Sequence, residues 1–78
     1  MKDLITCIAK ALVDNSEEVV VREIEGQQIL VIELKLAKED IGKIIGKRGR
    51  TVQAIRTILT RASAKIGKRS VLEIIESP

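Results

Sequence analysis

The chain has 78 residues, enough for one small domain spanning 1–78, with 45% hydrophobic residues and no Phe, Tyr or Trp. Its core must be built from Ile, Leu, Val and Ala, and a binding surface that stacks bases on aromatic rings is excluded. One cysteine, Cys7, and no histidine exclude an internal disulfide, zinc held by Cys/His sets, and imidazole acid–base chemistry. Lys2, Asp3 and Lys10 interrupt the N-terminal apolar positions, so no signal peptide is expected. No apolar run approaches the roughly 18–20 residues of a membrane span, and the expected location is the cytoplasm. The net charge of +3 is unevenly spread. Residues 1–40 carry five cations and nine anions, whereas 41–78 carry nine cations and two anions. Those nine cations lie between Lys43 and Arg69 with no acid among them. The asymmetry suits a polyanionic partner, and a solvated face of a basic helix would show it equally.

Residues 3–14 place Leu4, Ile5, Cys7, Ile8, Ala11 and Leu12 on one arc, with Lys2, Thr6, Lys10 and Asp14 opposite. This spacing predicts an amphipathic helix with Asp3 at its start and Asn15-Ser16 at its end. Cys7 is expected at the edge of the buried arc as a small core filler. Residues 18–25 are β-branched and partly alternating, and Gly26-Gln27 is expected to turn the chain with the glycine at positive φ. In 28–36, Leu30, Ile32, Leu34 and Leu36 alternate with Ile29, Val31, Glu33 and Lys35, the pattern of a strand. The two segments read as an antiparallel hairpin. A short helix is expected near 39–45, with Glu39 and Asp40 complementing its dipole from the first turn. Ile41, Ile44 and Ile45 form its apolar side, and Gly46 stops it. From Arg50 to about Ile66, the residues Val52, Ile55, Ile58, Leu59, Ala62 and Ile66 share an arc of about 120°. Gly67 closes that helix, and 70–76 form the last strand. The fold class is α+β, in the order α-β-β-α-α-β. Three strands make one mixed sheet with three helices on one face.

The centre of the chain is Gly46-Lys47-Arg48-Gly49, two glycines bracketing two cations between helices. Amides at the start of the second helix lack intrahelical partners and carry partial positive charge. Glycines let a ligand's backbone approach without a Cβ in the way. Lys43, Lys47, Arg48, Arg50 and Arg56 supply charge around the turn, and Gly42 opens the backbone one helical turn upstream. The combination makes a clamp for phosphates that reads no base edges by itself. Ile44, Ile45 and Val52 are near enough in sequence to line an aliphatic groove beside it.

The run Ile41-Gly42-Lys43-Ile44-Ile45-Gly46-Lys47-Arg48-Gly49-Arg50-Thr51-Val52-Gln53-Ala54-Ile55 resembles the KH-domain signature, with its helix–GxxG–helix turn. The element order resembles a type II KH domain. Length and the Gly-Lys-Arg-Gly-Arg-Thr run are similar to the small bacterial KH proteins of the KhpA family. The resemblance implies binding of single-stranded RNA, or single-stranded DNA, through Gly42, Lys43, Ile45, Gly46, Lys47, Arg48, Gly49, Arg50 and Arg56. It implies an RNA-chaperone or post-transcriptional role in the bacterial cytoplasm and a link to cell shape and cell-wall biogenesis. A homodimer, or a complex with a larger KhpB/Jag-like KH protein, is implied as well. The alternative is a protein-interaction adaptor using the Gln53, Thr57, Thr60 and Ala64 face of the long helix. Neither an enzyme nor a cofactor is expected. Gly42–Arg48 is one residue short of a P-loop and lacks the Ser/Thr after its lysine.

Overall fold

The computed structural model describes all residues 1–78 and has the expected order of elements. The first helix, α1 (Lys2–Leu12), ends two residues early because Val13 is already extended. A single 3₁₀ turn at Ser16–Glu18 follows, so Glu18 lies outside the strand predicted to hold it. Strands β1 (Val20–Glu25) and β2 (Ile29–Leu36) form the hairpin. Its Gly26 amide donates to the Ile29 carbonyl at 2.8 Å. Gly26 does not adopt the positive φ expected of it; the glycines that do are Gly46, Gly49 and Gly67. A 3₁₀ turn at Lys38–Asp40 leads into α2 (Ile41–Ile45). After the Gly46–Gly49 turn come α3 (Arg50–Ala64) and β3 (Arg69–Glu76). At the end of α3, Gly67 takes φ 70°. The Lys68 and Gly67 amides then close onto the Ser63 and Ala64 carbonyls at 2.9 and 3.0 Å, the left-handed stop a glycine favours.

The sheet order is β1-β2-β3, with β2 antiparallel to β1 and parallel to β3. Strict alternation in β2 decides the packing. Leu30, Ile32, Leu34 and Leu36 are all buried, and the register sets Val21 and Leu72 beside them on the same face. Ile5 and Ala9 of α1, Ile44 of α2, and Val52, Ile55 and Leu59 of α3 complete the core from above.

Two expectations about the helices change. Cys7 is exposed, since at about 100° per residue it lies nearly opposite Ile5 and Ala9, the pair that faces the sheet. In α3 the buried stripe is Val52, Ile55, Leu59 and Ser63, rotated from the predicted arc, and Ile58 and Ile66 stay exposed. The rotation follows from the partners: α3 packs on β3 and α2, while α1 packs on β1. The Ile58 side is therefore left uncovered. The far face of the sheet, with Val20, Ile24 and Ile29 exposed, has no helix over it.

A domain of this length is stable by roughly 4–12 kcal/mol. Ile32 sits at the centre of the middle strand with no exposed surface. Ile32→Ala should cost about 2–5 kcal/mol, a large share of that stability, measured as a lowered urea midpoint by circular dichroism.

Candidate nucleic-acid interface

The turn is built from left-handed backbone. Gly46 caps α2 at φ 77°, ψ 173°, and its amide donates to the Gly42 carbonyl at 2.9 Å. A Cβ on Gly46 would stand 2.2 Å from the Thr51 hydroxyl, so both conformation and space demand glycine. Lys47–Gly49 form a 3₁₀ turn in which Arg48 takes φ 57° and Gly49 takes φ 73°. A non-glycine residue in this region is strained by about 1 kcal/mol or more. Arg48 is held there with its side chain exposed, as is Lys47 beside it. Neither forms an ion pair within the chain. Gly49 precedes α3 without any side-chain cap; the Gly49 and Arg50 amides close onto the Gly46 and Lys47 carbonyls, and Arg50 is exposed at the first position.

The other sequence-predicted residues divide. Gly42 lies on the exposed side of α2, and a Cβ there would meet nothing within 4 Å, leaving its backbone open to an approaching ligand. Ile45 is half-buried at the base of the turn, whereas Ile44 is fully buried in the core and cannot line a groove. Arg56 lies further along α3 and donates from Nη1 to the Leu72 carbonyl at 3.1 Å. Along β3 the odd-numbered residues face β2: the Arg69 amide bonds to Gln28 and Ser77 to Leu36. The even-numbered backbone groups, Leu72 among them, therefore face the free edge. A cleft of about 100 Å³ lies between helix and edge, lined by Arg56, Leu59, Thr60, Ser70 and Leu72. Ser70 and Leu72 were not foreseen as site residues, because their place depends on which strand ends up at the edge.

Lys43 has a different role from the cations of the turn. Its ammonium is held by the carboxylates of Asp14 and Asp40. Asp40 was expected to complement the α2 dipole from a solvated first turn. It is instead fully buried and reaches back to the end of α1. There its carboxylate accepts the Asp14 amide at 3.2 Å, the Asn15 amide at 2.9 Å and the Asn15 side chain at 3.0 Å. Burial pushes the Asp40 pKa up, but the Asn15 amide and side chain, the Asp14 amide and Lys43 outweigh it and bring it from 3.8 to about 2. The Lys43 pKa is raised by Asp14 and then by Asp40, so the ion pair persists across the neutral range. A signal was available in sequence only for the Asp40–Lys43 spacing of three; the link to Asn15 spans 25 residues.

A Gly-x-x-Gly turn between two helices, set beside a parallel edge strand in an α-β-β-α-α-β domain, defines a KH domain of the type II order. The chain belongs to the family described as KhpA/KhpB, KH domain, which matches residues 2–74. It is similar to proteins named RNA-binding protein KhpA in three bacteria. The protein of Caldanaerobacter subterraneus is 56% identical, over 96% of this chain and all of its own. That of Aquifex aeolicus is 54% identical, over 97% of this chain and 96% of its own. That of Clostridium acetobutylicum is 53% identical, over 96% of this chain and all of its own. No solved structure matches the chain significantly.

The lowered pKa of Asp40 fixes the sign of a pH effect. Its stabilisation is complete above pH 3.8 and is lost as pH falls towards 2. Asp40→Asn should therefore melt below the parent protein at pH 7, with the gap closing as pH drops from 4 to 2, followed by circular dichroism.

Proposed function

We propose that this KH domain grips the backbone of short single-stranded RNA at Gly46-Lys47-Arg48-Gly49. The observation that carries the reading is the turn itself: a strained left-handed backbone holds two exposed cations, with no carboxylate partner, at the uncapped start of α3. Phosphate oxygens would accept from the exposed side chains of Lys47, Arg48 and Arg50 and from backbone amides of the turn that no carbonyl holds. Gly42 leaves the strand room to approach, Ile45 offers an apolar contact, and Arg56 borders the cleft where bases would meet the β3 edge. Lys43 contributes through its grip on α2 more than through free charge. With no aromatic ring in the chain, affinity rests on backbone contacts and sequence preference is modest.

The names of the relatives support RNA over single-stranded DNA as the ligand. In this reading the domain is a binding module without a chemical step, and it serves as an RNA chaperone or post-transcriptional regulator in the cytoplasm. Cell shape and cell-wall biogenesis would be affected through the bound RNAs, and a larger KhpB/Jag-like KH protein is a partner to be sought.

The test is the Lys47→Asp/Arg48→Asp double variant, with single-stranded RNA and DNA of one sequence titrated by fluorescence anisotropy. RNA affinity should fall at least tenfold, and the slope of log K against log salt should flatten by about 1.4 as two phosphate contacts go. Unchanged affinity with an intact circular dichroism spectrum would overturn the reading.

A second reading, self-association, is favoured by the uncovered sheet face. There β1, β2 and β3 align Val20, Lys35 and Ile75 in one row, Arg22, Glu33 and Glu73 in the next, and Ile24, Val31 and Val71 in a third. A second copy turned about an axis along the strands would set β1 over the partner's β3. Arg22 would then meet Glu73, Val20 would meet Ile75 and Ile24 would meet Val71, while Glu33 and Lys35 of the middle strand would face their own copies across the axis. Sedimentation should show a dimer that Arg22→Glu dissociates and Arg22→Glu/Glu73→Arg restores. A monomer at all concentrations would remove this reading and leave the RNA clamp untouched.

A further inference from the structure

The turn does not account for all the unpaired charge on α3. Arg61 and Lys65 stand one helical turn apart, in line with Arg50 and on the side away from Val52, Ile55, Leu59 and Ser63. Both are exposed. Neither has a carboxylate partner, unlike Lys43, which is held by Asp14 and Asp40, and Lys68, which is held by Glu25. Two like charges at this spacing repel each other, and no acid in the 29 residues from Ile41 to Arg69 offsets them. A favourable effect at the negative end of α3 explains cations here, but it is served also by Lys68 and does not require an absence of acids. Lys65 lies about 22 Å from Arg50 at 1.5 Å per residue, well beyond the turn.

A strand held at the turn has two ways to continue. One passes the start of α2 and the end of α1, where Asp14 and Glu39 stand near the buried Asp40 and Glu17 and Glu18 follow in the next turn of chain. A phosphate chain is repelled along that route. The other follows the outer side of α3 from Arg50, past the exposed and uncharged Gln53, Ala54 and Thr57, towards Arg61 and Lys65. Electrostatics thus gives the bound strand a direction as well as a grip.

We propose that Arg61 and Lys65 form a second phosphate-contacting site, which engages the strand after it leaves the roughly four nucleotides gripped at the turn and runs on along the outer side of α3. This rests on the turn being the primary grip. It makes the footprint longer than a single KH turn requires, and it makes affinity depend on strand length.

The experiment compares oligouridylates of four and twelve nucleotides against the parent protein, Arg61→Glu/Lys65→Glu and Lys47→Asp/Arg48→Asp, by fluorescence anisotropy across a salt series. For the Arg61→Glu/Lys65→Glu variant, tetramer affinity should stay within about twofold of the parent. Its dodecamer affinity should fall about tenfold and its dodecamer salt slope by about 1.4. A dodecamer affinity and slope equal to the parent's would overturn the proposal, and would assign the two cations to the helix end alone. An equal loss for both lengths would also overturn it, by making them part of the first grip. If Lys47→Asp/Arg48→Asp retains tetramer binding, it is the primary reading that fails, and that result is separate from either of these.

Discussion

The geometry of the site depends on one buried carboxylate. A five-residue helix such as α2 has too few internal hydrogen bonds to exist by its own propensity. Its place is imposed from outside. Ile44 anchors one side of it in the core, and Asp40, just before its first residue, ties its start to the backbone of Asp14 and Asn15. Lys43, one turn on, closes the network from the helix side. The end of α1 and the start of α2 are thus tied together, and Gly46 leaves α2 in a direction that this tie sets. An unpaired carboxylate in this position would be costly, which is why three donors from the preceding loop converge on it along with a cation.

The same network changes how the charge of the chain is read. Nine cations from Lys43 to Arg69 suggest a uniformly basic half. The structure sorts them. Lys43 and Lys68 are neutralised by carboxylates of the first half, and they brace α2 against α1 and the end of α3 against the end of β1. Arg56 gives one of its donors to the Leu72 carbonyl at the sheet edge and keeps its charge and its other N–H groups. What remains free is concentrated at the turn and along the outer side of α3. Net charge brings a polyanion near, but position decides what it touches, and the unpaired groups have the most hydrogen-bonding capacity to spare.

Periodicity carried most of the fold. The alternation in 29–36 needs only a period of two to predict Leu30, Ile32, Leu34 and Leu36 as one buried face, and all four are. Gly46 and Gly49 were legible for a similar reason, since a helix stop and a left-handed turn leave glycine as their mark. The misses all involve partners distant in sequence. Amphipathicity sets Cys7 and Ile58 near the apolar arcs, but which part of an arc is buried depends on what packs there. With α1 over β1 and α3 over β3, the outer edges stay wet. Asp40 carries a solvated-helix-start pattern and no local hint of the loop 25 residues earlier that encloses it. Ser70 and Leu72 became site residues only once β3 was known to be an edge strand.

A core without aromatic rings explains the economy of the whole design. Ile, Leu, Val and Ala can fill one layer between a three-stranded sheet and three helices, and none of the three helices lies over the other face. The binding surface inherits the same restriction. With no ring to stack on a base, the chain offers backbone amides, a strained turn and aliphatic groups, which are suited to what every nucleotide shares. The strain at Arg48 belongs to this logic. Glycine would hold φ 57° more easily, and an arginine kept there places a guanidinium at the turn's apex at a cost to stability. That cost is tolerable because the turn is framed on both sides: Gly46 packs against Thr51 at the start of α3, and α2 is locked through Asp40. Stability is concentrated in the sheet and the carboxylate network so that the turn can be held in a shape it would not adopt alone.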